Sequence, residues 1–190
     1  MDETGAYESI AYRMKLNQGS IDSFESLFHE HWEPVNRLLR RMVSDPAEAE
    51  DLALETFYRL YKNQSLVKDG FHTRGWLYKV AANLALQSIR SYKRREQYEL
   101  HAGKNALEEP RENQPAELFA RHEEQQLAGL ALARMNSQRA ELLVLRHSGL
   151  SYKEIAGTLG LSPTSIGPLL LRAEREFEKH YRALTREEER

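Results

Sequence analysis

The chain has no cysteine among its 190 residues, which excludes a disulfide framework, a thiol nucleophile and a cysteine-ligated zinc site. No apolar run approaches the ~18 residues of a membrane span, and the first residues, "MDETGAYESIAYRMK", carry acids before any base and no apolar core. Neither membrane insertion nor a signal peptide is expected, so the sequence predicts a cytoplasmic protein. It contains no phosphate-binding glycine loop and no nucleophile with a base at readable spacing. The best metal candidate, His29-Glu30-His31, sets its histidines two positions apart, where helical side chains diverge and cannot share one ion. An enzyme is therefore the least supported class, and no catalytic residue, metal, cofactor or small-molecule substrate is expected. Strand alternation and internal repeats are missing too, which leaves an all-α fold.

A hydrophobic fraction of 41% beside 29% charged residues is that of a soluble globular chain, long enough for one ordinary domain or two small ones. Between Ile21 and Arg41 the residues Phe24, Leu27, Phe28, Val35, Leu38 and Leu39, followed by Met42, recur at three- and four-residue steps, predicting one helix with a bend near Pro34. Asp45 and Pro46 read as an N-cap and first helical residue. The helix they open turns Leu52, Thr56, Phe57 and Leu60 inward and Glu48, Asp51, Glu55 and Arg59 outward. A loop is expected from Gln64 to Gly75. The next helix, from Trp76 to about Arg95, carries Leu77, Val80, Ala81, Leu84 and Ile89 as its apolar stripe. Between Arg74 and Arg95 there are six Arg or Lys residues and no acid, the most one-sided charge in the chain.

From Glu96 to Glu117 the chain has few apolar residues, two prolines and an acidic excess, the composition of a flexible linker between two domains. Helices are expected beyond it at about Leu118–Met135, Ser137–His147, Tyr152–Leu159, and a last one ending near Leu184. In "LSYKEIAGTLGLSPTSI", Ser151 and Glu154 form a capping box and Gly160 closes the helix they open. Ile155, Leu159, Leu161 and Ile166 supply an apolar wedge around Ala156. That is the spacing of a DNA-binding helix-turn-helix, although a plain helical hairpin would use the same devices for packing. The second helix carries Gly167-Pro168. A proline inside a helix costs ~3 kcal/mol, so the regular helix is expected to start near Pro168, with Gly167 as N-cap, or to kink there.

Two blocks in sequence carry a wider resemblance. "AEAEDLALETFYRLYKN" with "FHTRGWLYKVAANLALQSIRSYKRR" resembles sigma region 2, and "LVLRHSGLSYKEIAGTLGLSPTSIGPLLLRAEREFEK" resembles sigma region 4. The chain is thus similar to an extracytoplasmic-function RNA polymerase sigma factor of the sigma-70 family. The resemblance implies an N-terminal extension over 1–18, a region 2-like domain over 19–95, a linker over 96–117, a region 4-like domain over 118–184 and a charged tail over 185–190. It implies core RNA polymerase and promoter DNA as partners, and an anti-sigma factor as a further one.

By that resemblance the face of Glu48, Glu50, Asp51, Glu55 and Arg59 docks on core polymerase; a solvated charged face would look the same. Lys79, Arg90, Lys93, Arg94 and Arg95 would meet the phosphates of the melted -10 strand, with Asn83 at a flipped base. Lys68, Phe71, His72 and Arg74 would wall the base pocket. Trp76 reads as structural, and Tyr78 as either core or stacking platform. For the -35 element, family members commonly place polar or basic groups where this chain has Gly167, Pro168, Leu169 and Glu174. Ser162, Thr164, Ser165, Arg172 and Arg175 remain, with Glu174, Glu176 and Glu178 offsetting them, so weak or atypical -35 readout is expected. A helix-turn-helix regulator that never joins polymerase explains only the second block. An accessory protein that has lost promoter reading draws its sole support from the altered recognition helix.

Overall fold

The computed structural model describes residues 24–63, 73–101 and 116–188. All the regular structure among them is helical. Helix α1 covers 24–42 and runs without interruption across Pro34, burying Val35, Leu38, Leu39 and Met42. Helix α2, Pro46–Lys62, starts as its sequence dictates: the Asp45 carboxylate accepts the Ala47 N–H at 2.9 Å, and Pro46 fills the first turn. Phe57 is buried in the seam with α1, its ring centroid 4.8 Å from that of Phe28 and 5.8 Å from that of Trp32.

Helix α3, Thr73–His101, exceeds its expected bounds at both ends. Thr73, Arg74 and Gly75 are helical rather than loop, and the helix continues past Arg95 into the stretch expected as linker. Its sequence there, "EQYELH", offers ordinary helix formers and no breaker, so the turns already formed propagate. Residues 102–115 of the expected linker, 64–72 of the expected loop and the expected N-terminal extension lie outside the described residues.

Four more helices follow: α4, Ala116–Arg134; α5, Ser137–His147; α6, Tyr152–Leu159; and α7, Pro163–Glu188. The Asn136 side chain caps α5, the Ser151–Glu154 capping box opens α6, and Gly160 ends α6 in the left-handed conformation at φ 67°. Ile155 and Ile166 are fully buried between α6 and α7, with Ala156 almost so, and Leu159 and Leu161 pack beside them.

The expected late start of the last helix is overturned, since α7 begins at Pro163 and passes through Pro168 unbroken. Proline cannot donate to the Thr164 carbonyl, so one backbone bond is lost. Gly167 lowers the remaining penalty. Part of the clash that drives a pre-proline residue out of the helical region comes from its Cβ, and glycine has none.

The two helical domains share one apolar core. It runs from Val35, Leu39 and Phe57 through Leu77, Ala81, Ala82, Ala85 and Leu86 to Leu142, Leu145, Ile155 and Ile166. Helix α3 is the common wall. One of its faces packs on α2, while others meet α4, α5 and α6.

Candidate functional site

The acidic helix α2 presents its charges unevenly. Glu50 and Asp51 are exposed, and Glu55 pairs with Arg59 one turn on at 2.8 Å. Glu48, expected on the same outer face, is half-buried and accepts the Ser88 hydroxyl of α3, which ties it to the interior of its own domain. Sequence reading fixed on charge and missed the apolar part of this face. Leu54, Tyr58 and Tyr61 are about half exposed at four- and three-residue steps, which makes one stripe beside Asp51. Exposed aromatics next to acids form an amphipathic surface suited to a partner helix.

On α3, helical spacing sets Lys79, Asn83, Arg90 and Arg94 along one stripe, with Lys93 at its margin. Arg74 and Arg95 fall off that stripe. Arg94 and Arg95 are exposed; Lys79, Asn83, Arg90 and Lys93 are half-buried. Tyr78 is core, 7% exposed, with the Arg74 guanidinium 5.6 Å from its ring centroid. Trp76 packs partly buried against the core, as expected. Lys68, Phe71 and His72 lie outside the described residues. Ile89, Arg90, Lys93 and Arg94 face Leu130, Ala133 and Arg134 of α4 across a cleft of about 430 Å³, with cations around an apolar floor.

Arg74 also lies near His31 of α1. Burial holds the His31 imidazole below its ordinary pKa, with Arg74 adding to that against an opposing contribution from Glu30.

In the helix-turn-helix, Leu161 N–H closes the turn on the Ala156 carbonyl at 2.8 Å. The Glu154 carboxyl is held below its ordinary range, first by the Ser151 hydroxyl and then by the Ser151 backbone. Ser162, just before α7, and Thr164, Ser165, Arg172 and Arg175 on it are all exposed, and the hydroxyls of Ser162 and Thr164 lie 2.8 Å apart. Sequence reading missed their neighbour Leu171, 49% exposed among them. It also assigned three acids to this surface where fewer face outward. Glu176 turns inward to the backbone of Asn136 and to Arg139, and Glu178 pairs with Arg182 at 2.5 Å.

Residues 27–95 match the Sigma-70 region 2 family, and residues 125–177 match the Sigma-70, region 4 family. The chain is 32% identical over 168 residues to the RNA polymerase sigma factor CarQ of Myxococcus xanthus, covering 87% of this chain and 91% of that one. The chain belongs to the sigma-70 family, in its extracytoplasmic-function group. This sigma factor is also 30% identical to YlaC, an RNA polymerase sigma factor of Bacillus subtilis, over 89% of its own length and 97% of that protein's. Its fold matches that of the sigma factor RpoE of Bartonella quintana, solved in complex with the anti-sigma factor NepR, at a TM-score of 0.50 and 20% identity. That match covers 84% of this chain and 96% of RpoE. Region 2 of the sigma factor thus comprises α1, α2 and most of α3, and region 4 runs from within α4 to mid-α7. Among the described residues, no helix is long and apolar enough to cross a membrane.

Proposed function

We propose that this sigma factor binds core RNA polymerase and directs promoter recognition, duplex melting and transcription initiation, without catalysing a covalent step itself. Helix α2 is the polymerase-docking element, through Glu50, Asp51, Glu55, Arg59 and the apolar stripe of Leu54, Tyr58 and Tyr61. Helix α3 takes the -10 strand, with Lys79, Arg90, Lys93 and Arg94 for phosphates and the Asn83 amide for a base edge. Lys68, Phe71, His72 and Arg74 are proposed for the base pocket and Arg95 for a flanking phosphate.

The observation that carries this reading is the pairing, in one chain and in family order, of a basic α3 stripe with a well-capped helix-turn-helix. For the -35 element, Ser162 precedes α7 and Thr164, Ser165, Arg172 and Arg175 line its outer side. Its centre is apolar at Pro168 and Leu171, so few hydrogen-bond donors face a base, and weak or atypical -35 readout follows. The cytoplasm, where polymerase works, is the proposed location. An anti-sigma factor is a proposed partner, as RpoE has one in its complex.

The test is reconstitution. The purified chain should co-migrate with core polymerase on gel filtration and give discrete run-off transcripts from genomic fragments that core alone does not transcribe. DNA binding without polymerase association would support the regulator alternative instead.

A further inference from the structure

The side of α7 that faces directly away from the core is a row set by helical spacing: Thr164, Pro168, Leu171 and Arg175. All four are exposed, and they lie opposite the buried Ile166, Leu170 and Ala173. The two central members have no hydrogen-bonding group on their side chains, and Pro168 has no backbone N–H either.

A single exposed leucine means little by itself. Here its surroundings give it meaning, because cations flank the row on both sides. On one side stand Ser165 and Arg172. On the other, Gly167 brings α7 close to the start of α6, where a Cβ added to the glycine would lie 3.7 Å from Tyr152 Cε2. The Arg146 guanidinium is 5.4 Å from the centroid of that tyrosine ring. The acids one turn on from Arg172 and Arg175 are engaged elsewhere, Glu176 by Arg139 and Glu178 by Arg182. Guanidinium groups therefore border an apolar centre. Duplex DNA has the matching layout, with phosphates along the rims of the major groove and base edges on its floor.

A base edge under such a centre meets neither donor nor acceptor. Adenine, guanine and cytosine are recognised in the major groove through polar atoms, whereas thymine adds a C5 methyl group. Polar edges covered by Pro168 and Leu171 would stay unpaired, which is unfavourable, while a methyl group would leave water for contact with carbon. The two residues are three positions apart, about 4.5 Å along the helix, and stacked base pairs are about 3.4 Å apart. They accordingly meet neighbouring base pairs rather than one.

We propose that Pro168 and Leu171 are specificity-determining residues of region 4, which select thymine at two adjacent base pairs of the -35 element by contact with the C5 methyl groups. This rests on the sigma-factor reading and turns the missing donors of α7 into a stated preference. Such contacts bias the choice of promoter without supplying most of the affinity, which falls to α3.

A promoter library with the -35 segment randomised, transcribed by the reconstituted holoenzyme, should return thymine at two neighbouring base pairs. In one such promoter each of these thymines is then replaced by deoxyuridine, which keeps the hydrogen-bonding groups and lacks only the methyl. Holoenzyme affinity should fall about fourfold for each replacement and about fifteenfold for both. Deoxyuridine placed between the -35 and -10 elements should leave it unchanged. Leu171→Ala, at an exposed position, should bring the ratio at one of the two thymines to within about twofold and leave the other as it was.

Enrichment of another base, equal affinity for the thymine and deoxyuridine promoters, the same loss from deoxyuridine outside the -35 segment, or unchanged ratios in Leu171→Ala overturns the proposal. In a holoenzyme that transcribes, each of these results leaves the sigma-factor reading standing. If the chain gives no transcript with core polymerase, the same comparison is made by gel shift of the full chain on duplexes it selects from the library. Discrimination there keeps the methyl readout and removes the sigma-factor reading, and failure to bind any duplex removes both.

Discussion

Glu176 of α7 accepts the backbone N–H of Asn136 at 2.9 Å, at the junction where α4 ends and α5 begins. The same carboxylate meets Arg139 of α5, so one side chain fixes the recognition helix to the helices beneath it. Its carboxyl is held below the ordinary value of 4.5, first by the Asn136 amide and then by Arg139. A depressed folded pKa means that the folded form binds fewer protons than the unfolded form. The stabilisation is therefore present above the unfolded value and lost as pH falls through the lowered folded one. Glu154 adds the same sign of dependence. Urea unfolding should show the native chain losing more stability than Glu176→Gln between about pH 6 and pH 3.5. Parallel losses would contradict this role.

Arg90→Ala should lower the unfolding free energy by about 1 to 2 kcal/mol, because two carbonyls at the end of α4 lose a charged donor. Urea midpoints of the full chain measure it. An unchanged midpoint would mean that water replaces the guanidinium at no cost.

Pro168→Ala should stabilise the chain. It restores a donor for the Thr164 carbonyl at an exposed position, and the gain is bounded by the ~3 kcal/mol of an internal proline. A raised thermal midpoint is the expected result, and a lowered one would show that the proline ring makes a contact worth more than the bond.

Leu170 and Leu171 are neighbours with opposite roles. Leu170 is buried against the core, so Leu170→Ala should cost about 2 to 5 kcal/mol, whereas Leu171→Ala should change stability by no more than about 0.5 kcal/mol. Thermal melts of the two variants distinguish these outcomes, and equal losses would place Leu171 in a contact that its exposure does not indicate.

The elements legible in the sequence were those with local signals. Asp45-Pro46, the Ser151–Glu154 box and Gly160 each act within one turn, and each appears in the structure as read. What escaped depends on residues far apart in the chain. Arg90 looks like a phosphate contact in isolation, and only the fold brings the α4 carbonyls beneath it. Ala82, Ala85 and Leu86 lie off the single apolar stripe expected of α3, because that stripe assumed one partner domain where the helix has two. Gly75 read as loop punctuation, and its role is to let α3 approach Thr158. At Gly167-Pro168 the local rule for proline was sound, but packing of Ile166, Leu170 and Ala173 against α6 and the domain core outweighs one lost bond.

The central claim is that promoter recognition falls mainly on α3. Run-off transcription with core polymerase, comparing Asn83→Ala with Arg172→Ala on one promoter at moderate salt, tests it most directly. The account predicts that the first variant loses nearly all transcript and the second keeps most of it. Survival of Asn83→Ala together with loss in Arg172→Ala would contradict it.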